Sequence, residues 1–510
     1  MSSGPVNQAE EASPRNVKPV STFPKQAVVV IHGMGEQMPM DTIKGFVRAV
    51  WEADATITAN GLPNPAEVWS KPDVRTGSLE LRRITTRQSI PTRTFSSGVR
   101  SDFYELYWAD LSGGSTWSQV QDWIAGLLLR NPFSRVPYQV LPAWIILWIV
   151  ALIVILLAIA TALPITASIG SFRPWEYPPL KWLSGFQAWQ LALATALLGA
   201  ATHWFVVPYF GRVARYTRAK PENIAARKDI RERGLALLAE LHKGEYERII
   251  IVGHSLGSIV AYELVSYFWA SRLESHTVEQ GRPEFVALRA LEQASSKLAD
   301  EPPGTTNQAV LNQFLDAQRE FCRLLRLRPK SPDGKPDTRW LITDLVTLGS
   351  PLTHAQFLLA KSDKDLNFRK KEREFPTSPP VRELLDPPLV AKAQAAGFAI
   401  DFAKPQLSCF PLGPNDWQLH HAAAFAAVRW TNIFDPARFV LCGDIISGAI
   451  APVFGAGVID VDLRKLRGQS WTFTHTQYWP TGNKVLPKAT PQNVIALREA
   501  LDLAGQSRLL

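Results

Sequence analysis

The sequence predicts an α/β protein, a mostly parallel sheet with helices on both faces, interrupted by two transmembrane helices and by lid-like insertions. Three observations carry that expectation. Short β-branched runs such as QAVVVI (26–31) and ERIIIV (247–252) alternate with longer helical patterns, as in a sheet of buried parallel strands joined by crossover helices. The run 143–163, AWIILWIVALIVILLAIATAL, carries no charge and as a helix would extend about 31 Å, the thickness of a bilayer core. Two stretches between strands, 273–340 and 353–429, are too long for ordinary connections and read as lids or caps.

Composition sets outer limits. The chain has 510 residues, 46% of them apolar and 20% charged, enough to bury a sizeable core and too apolar for global disorder. Lys and Arg number 55 against 46 Asp and Glu, a net charge of +9 that suits an anionic surface. No nucleic-acid-binding signature competes for that charge, so nucleic acid is not an expected partner. Cys322, Cys409 and Cys442 stand far apart, which excludes a disulfide framework or a thiolate metal site and fits a reducing compartment. Residues 1–24 lack an apolar stretch behind their basic residues and read as a flexible lead without a secretory signal.

The elements follow in order. After the strand 26–31 comes the turn His32-Gly33-Met34-Gly35, then a helix over 41–52 that Asp41 can cap. Strands are expected at 79–86 and 103–108. Past the apolar region, 221–243 is a charged amphipathic helix, 247–252 a buried strand and 256–273 an apolar helix. Strands at 344–348 and 439–442 complete the series. Within the insertions, 307–327 is helical, 361–375 reads as a solvated helix face and VAKAQAAGF as a further helix.

A second apolar run, 186–210, makes a hairpin with 143–163. The intervening loop holds Trp175, Tyr177 and Trp182, rings suited to a headgroup interface, and few cations. Arg130 and Arg135 precede the hairpin, while Arg212, Arg215, Arg218, Lys220, Arg227 and Lys228 follow it, so both flanks are expected on the cytoplasmic side. The expected organisation is a first part of the α/β domain at 25–138, a transmembrane hairpin at 139–211 with spans of about 143–163 and 186–210, and the remainder of the α/β domain at 212–510, with insertions at about 273–340 and 353–429. The protein is thereby expected to be an integral, two-pass membrane protein with a lipid bilayer as partner.

Chemistry is carried by Gly253-His254-Ser255-Leu256-Gly257, between the strand ERIIIV and the helix that follows. In a G-x-S-x-G turn the glycines allow a tight strand-to-helix reversal that lifts the serine hydroxyl above the sheet edge. With VVVIHGMGEQ (28–37), GHSLGS (253–258), LGSPL (348–352), WTNIFDPARFVLCGDIISG (430–448) and THTQYW (474–479), the chain resembles the α/β-hydrolase superfamily of the lipase/esterase type. The resemblance implies an acyl-ester hydrolase with a nucleophile-acid-histidine triad, no metal and no cofactor.

A serine hydroxyl is inert near neutral pH without a base, and the base needs an orienting carboxylate. In the order serine, acid, histidine, His475 is the only one of nine histidines that follows the candidate acids. The acid is read as Asp444, in a small-residue turn after FVLC, with Asp435 after WTNIF as the alternative. The backbone N–H groups of Leu256 and Met34 are the expected oxyanion donors, with Gly33 and Gly35 allowing close approach and Glu36 and Gln37 bracing the turn. The expected activity is ester hydrolysis through an acyl-enzyme, on acyl lipids or on soluble esters or thioesters. The competing expectation is a non-catalytic membrane scaffold or lipid-binding protein on the same fold.

Overall fold

The computed structural model describes residues 23–33, 38–58, 63–76, 80–112, 126, 128–129, 131, 136, 141–162, 176–178, 181, 185–201, 216–217, 221–301, 307–331, 337–401, 403–437, 442–468, 470–480, 487 and 489–506. Several residues singled out above lie outside them: Met34, Gly35, Glu36, Gln37, Trp175, Trp182 and the flanking Arg130, Arg135, Arg212, Arg215, Arg218 and Lys220, as do nearly all of the lead 1–24 and the expected strand at 439–442 apart from Cys442.

Eight strands form the central sheet: β1 (Lys25–Ile31), β2 (Val68–Pro72), β3 (Arg82–Gln88), β4 (Arg100–Leu106), β5 (Arg248–His254), β7 (Ile342–Leu348), β10 (Arg429–Phe434) and β11 (Ile459–Asp462). Their order is β11-β10-β7-β5-β1-β4-β3-β2. The six from β11 to β4 are parallel, and β3 and β2 add an antiparallel edge. The edge strand VWSKP is half open to solvent and carries Lys71 and Pro72, which discourage pairing with another chain. The expected mostly parallel α/β sheet is thus present.

Strand alternation divides the core in two. Val29, Ile31, Ile249, Ile251 and Leu345 face one layer, built from α4 (Pro221–Lys243), α5 (Leu256–Ala270), α6 (Pro283–Ala299) and α7 (Gln308–Arg326). Val28, Val30, Ile250, Val252, Val346 and Leu348 face the other, where α1 (Asp41–Val47) and α8 (Gln492–Leu501) pack with Trp51. Each such side chain contributes roughly 1.5–3 kcal/mol when fully buried, so a sheet covered on both faces needs unbroken apolar runs rather than alternating ones.

The two insertions are joined. β6 (Thr277–Glu279) comes from the first, β8 (Cys409–Pro411) and β9 (Asp416–Leu419) from the second, and they form one antiparallel sheet in the order β6-β9-β8.

The transmembrane expectation is corrected. Among the described residues no helix is long and apolar enough to cross a membrane. The first apolar run forms α2 (Leu141–Ala162). The second forms α3 (Ala188–Ala201), and residues 202–215 lie outside the described residues. The two helices pack on each other through Ala160 and Leu191. The fold is therefore written without two transmembrane helices, and the integral two-pass assignment with a cytoplasm-facing domain is withdrawn with them.

Four buried histidines predict how stability depends on pH. His242 accepts the Leu341 N–H at Nε2 and donates from Nδ1 to the Leu238 carbonyl, while His420 accepts the Ala422 N–H at Nδ1 and donates from Nε2 to the Val381 carbonyl. Both rings are held neutral by the donor they face. Burial, the leading cause, pushes His242 down to about 3 and His276, His354 and His420 down to about 4, from an ordinary 6.5. Below about pH 6.5 the unfolded chain takes up protons that the folded chain refuses, so stability is lost as pH falls through that window. The melting temperature is expected to be level above about pH 7 and to fall steeply between about pH 6.5 and 4. A flat profile across that range would show that these rings are not buried as neutral groups.

Candidate active site

The carboxyl ends of the parallel strands meet at one edge of the sheet, where Ile31 and Thr347 flank Gly253 in register. In open α/β sheets that edge is where sites are built. β5 ends at His254, α5 begins at Leu256, and Ser255 makes the turn alone with φ 53 and ψ −130. A non-glycine residue in that region is strained and persists only where its surroundings hold it. They do so here: the Ser255 N–H donates to the Leu348 carbonyl, and the Ser255 carbonyl accepts from the Ser258 N–H and hydroxyl.

The glycines are steric requirements of this turn. A Cβ on Gly257 would stand 2.3 Å from the His32 carbonyl oxygen, and one on Gly33 would stand 2.7 Å from the Ser255 Cβ. Gly253 is equally tight, with Ser258 Cα at 2.6 Å. The helix start therefore presses directly on the end of β1. His32 locks that end, since its Nε2 accepts the Trp108 N–H at 3.1 Å, its Nδ1 donates to the Gly33 carbonyl at 2.8 Å, and its ring stacks on the Trp108 indole.

Three side chains converge at this edge. His475 Nε2 lies 2.8 Å from Ser255 Oγ, and its Nδ1 lies 3.0 Å from both oxygens of Asp444. An ionised carboxylate only accepts, so Nδ1 carries the hydrogen and the Nε2 lone pair receives the Ser255 O–H. Burial alone would raise the Asp444 carboxyl, but the hydrogen bond and charge of His475, with the hydroxyls of Ser447 and Tyr478, hold it below the ordinary carboxylate value. Asp444 is fully buried, and Ser255 and His475 are nearly so. The arrangement can pass a proton from hydroxyl to imidazole while a fixed negative charge steadies the ring.

Asp435 is placed differently. Its Oδ2 accepts from Arg467 and from the Thr474 hydroxyl, both at 2.6 Å, and its carbonyl accepts the Asp444 N–H. It ties down the residue before His475 without facing the ring. The Leu256 N–H sits in the first turn of a 15-residue helix, where backbone donors have no intrahelical acceptor and the helix end favours negative charge. The second expected donor, Met34, lies outside the described residues, as does Gly35.

Other residues of the site were given no role by the sequence. Tyr478 donates its hydroxyl to Asp444 Oδ2 at 2.8 Å, and the Ile446 N–H donates to Oδ1 at 2.9 Å. Gly349, at φ 57, leaves room that a Cβ would take 2.6 Å from the Tyr478 ring and 3.0 Å from Asp444. His254 Nε2 donates to the His475 carbonyl at 2.8 Å, its ring held neutral near 4 by burial. The signals were within the stretches LGSPL and THTQYW, where Tyr478 follows His475 at three residues. Tyr478→Phe is expected to cut kcat about 2- to 10-fold with KM unchanged, as one neutral hydrogen bond to a charged acceptor is lost. An unchanged kcat would remove Tyr478 from the positioning of the acid.

Among the described residues no group of three or more His, Cys, Asp or Glu is arranged to hold a metal ion. No known protein family, curated protein or solved structure matches the chain.

Proposed function

We propose that the protein is a serine hydrolase of the α/β-hydrolase type that cleaves carboxylic esters, with acyl lipids as its substrate class. The observation that carries this reading is the continuous line from Ser255 Oγ through His475 to Asp444, on a serine held at positive φ between a parallel strand and a helix. In the reaction Ser255 Oγ attacks the ester carbonyl carbon as its proton moves to His475 Nε2. The Asp444 carboxylate stabilises the imidazolium, and the Leu256 N–H donates to the oxyanion. His475 then protonates the leaving alcohol, and water activated by the same ring releases the acid from Ser255.

Exposed apolar side chains support acyl lipids over small polar esters. Trp471 and Phe473, in the segment that leads into His475, are 69% and 39% exposed. Ile149, Leu152 and Ile155 on α2 and Trp189, Leu193 and Leu197 on α3 are also open, a face too apolar for a surface bathed only by water. Such features favour substrates met at a lipid surface.

The test is labelling with a fluorophosphonate probe, followed by hydrolysis of p-nitrophenyl esters of increasing acyl length. Adduct on the peptide containing Ser255, and kcat/KM rising with chain length, are expected. Absence of both adduct and turnover would overturn the reading, and turnover limited to acetate would overturn the lipid assignment alone.

A further inference from the structure

The other end of the sheet holds a second concentration of chemistry. Arg248 is the first residue of β5 and Arg429 the first of β10, and both open into a small cavity walled on its far side by Gln318, Arg319 and Cys322 of α7. β5 separates this cavity from Ser255 by about 20 Å at 3.3 Å per residue.

The charges in the cavity do not balance. Arg429 Nε is paired with Asp344 at 2.6 Å, the one carboxylate among the residues that line the cavity. Among the described residues Arg248, 1% exposed, has only neutral hydrogen-bond partners, with the Asp344 and Asp502 carboxylates acting on it through space: Nε donates to Gln26 Oε1 at 2.7 Å, Nη2 to the Asp502 carbonyl at 2.6 Å, and Nη1 to none. Among the described residues Arg319 Nε and Nη1 have no hydrogen-bond acceptor, Nη1 making only a long ion pair with the exposed Asp316 at 3.6 Å. Burial is the leading cause that pulls both guanidinium groups down to about 10. Burying a cation without a hydrogen-bonded anion is costly, so the unpartnered Arg248 Nη1 and Arg319 Nε beside this cavity favour a negative ligand.

The cavity has a further, distinguishing feature. Gln318 donates its Nε2 to the Phe425 and Val428 carbonyls, which turns Oε1 inward as a buried acceptor with no donor. An oxyanion that also bears an O–H satisfies both demands at once. The space is about 30 Å3, where one water needs about 10–15 Å3, so a single tetrahedral group fits.

We propose that this cavity is a binding site for a phosphate group, taken as hydrogen phosphate or as a phosphomonoester in its singly protonated form. Arg248 and Arg319 supply the donors, and Gln318 Oε1 accepts the P–O–H. The site is separate from Ser255 and does not depend on the hydrolase reading.

The test is thermal melting and titration calorimetry of the full chain in inorganic phosphate against chloride of equal ionic strength at pH 7. Millimolar phosphate is expected to raise the melting temperature by several degrees, and Arg319→Gln to weaken phosphate binding at least tenfold while the chain stays folded. Arg248→Met is expected to abolish the phosphate response and also to lower stability, since it leaves Gln26 Oε1 and the Asp502 carbonyl without a donor, so Arg319→Gln is the variant that keeps the test clean. Ser255→Ala is expected to leave the response unchanged. Glycerol phosphate in place of inorganic phosphate distinguishes the sources: a stronger response assigns the site to a monoester, a weaker one to the free ion. Equal melting in phosphate and chloride, or a shift that survives in both arginine variants, would overturn the site. A sulfate response as large as that to phosphate would overturn the role of Gln318.

Discussion

Ser255→Ala is expected to lower kcat/KM for ester substrates by a factor on the order of 10^4 to 10^6, because removal of the nucleophile leaves only binding and the oxyanion donor to act. The fold should survive. Alanine is smaller than serine, and the turn is fixed from outside by Leu348, Ser258 and the pressure of His32 on Gly257. Among the described residues the Ser255 hydroxyl makes one hydrogen bond, to His475. The measurement is turnover of a p-nitrophenyl ester beside a melting curve. Undiminished turnover in a folded variant would be incompatible with Ser255 as nucleophile.

Asp444→Asn is expected to cost about 10^4-fold in kcat, since an amide opposite Nδ1 presents a donor or a weak neutral acceptor and no longer selects the tautomer that accepts the Ser255 proton. Asp435→Asn is expected to behave in the opposite way. It breaks the pair with Arg467 and weakens the hold on Thr474, so stability should fall by roughly 1–3 kcal/mol while kcat changes little. Measuring both variants by kcat and by denaturant unfolding separates a chemical role from a structural one. A larger kcat loss in Asp435→Asn would exchange the two assignments.

Which of these properties could be read in the sequence follows from what each residue touches. β1, β5 and β7 announce themselves because strands buried on both faces must be continuously apolar, and α5 because it lies against them. β10 is harder to read, since Arg429 and Asn432 break its apolar run. Their partners, Asp344 for Arg429 and Thr347, Asp460 and the Gly448 carbonyl for Asn432, lie 16 or more residues away along the chain. The choice between Asp435 and Asp444 had no local answer for the same reason. Asp435 continues directly from β10 toward Arg467, whereas Asp444 is turned toward His475 by Gly443 at φ 90 and by the bridges of Pro436 to Asp444 and Gly443 to Phe473. The transmembrane reading is overturned because, among the described residues, no helix is long and apolar enough to cross a membrane.

The sheet formed by β6, β9 and β8 has a consequence for how the chain reaches its native state. Thr277 pairs with Gln418, 141 positions later, across α6, α7, β7 and most of the second insertion. Closing so large a loop is entropically unfavourable until the intervening elements have condensed. β6 therefore docks after the central sheet, and during that interval β9 presents an unpaired edge carrying Trp417, a side chain wholly hidden once docking is complete. That interval is the point at which newly made chains are open to edge-to-edge association, and it makes the two insertions a single kinetic unit: removing either one strands the other.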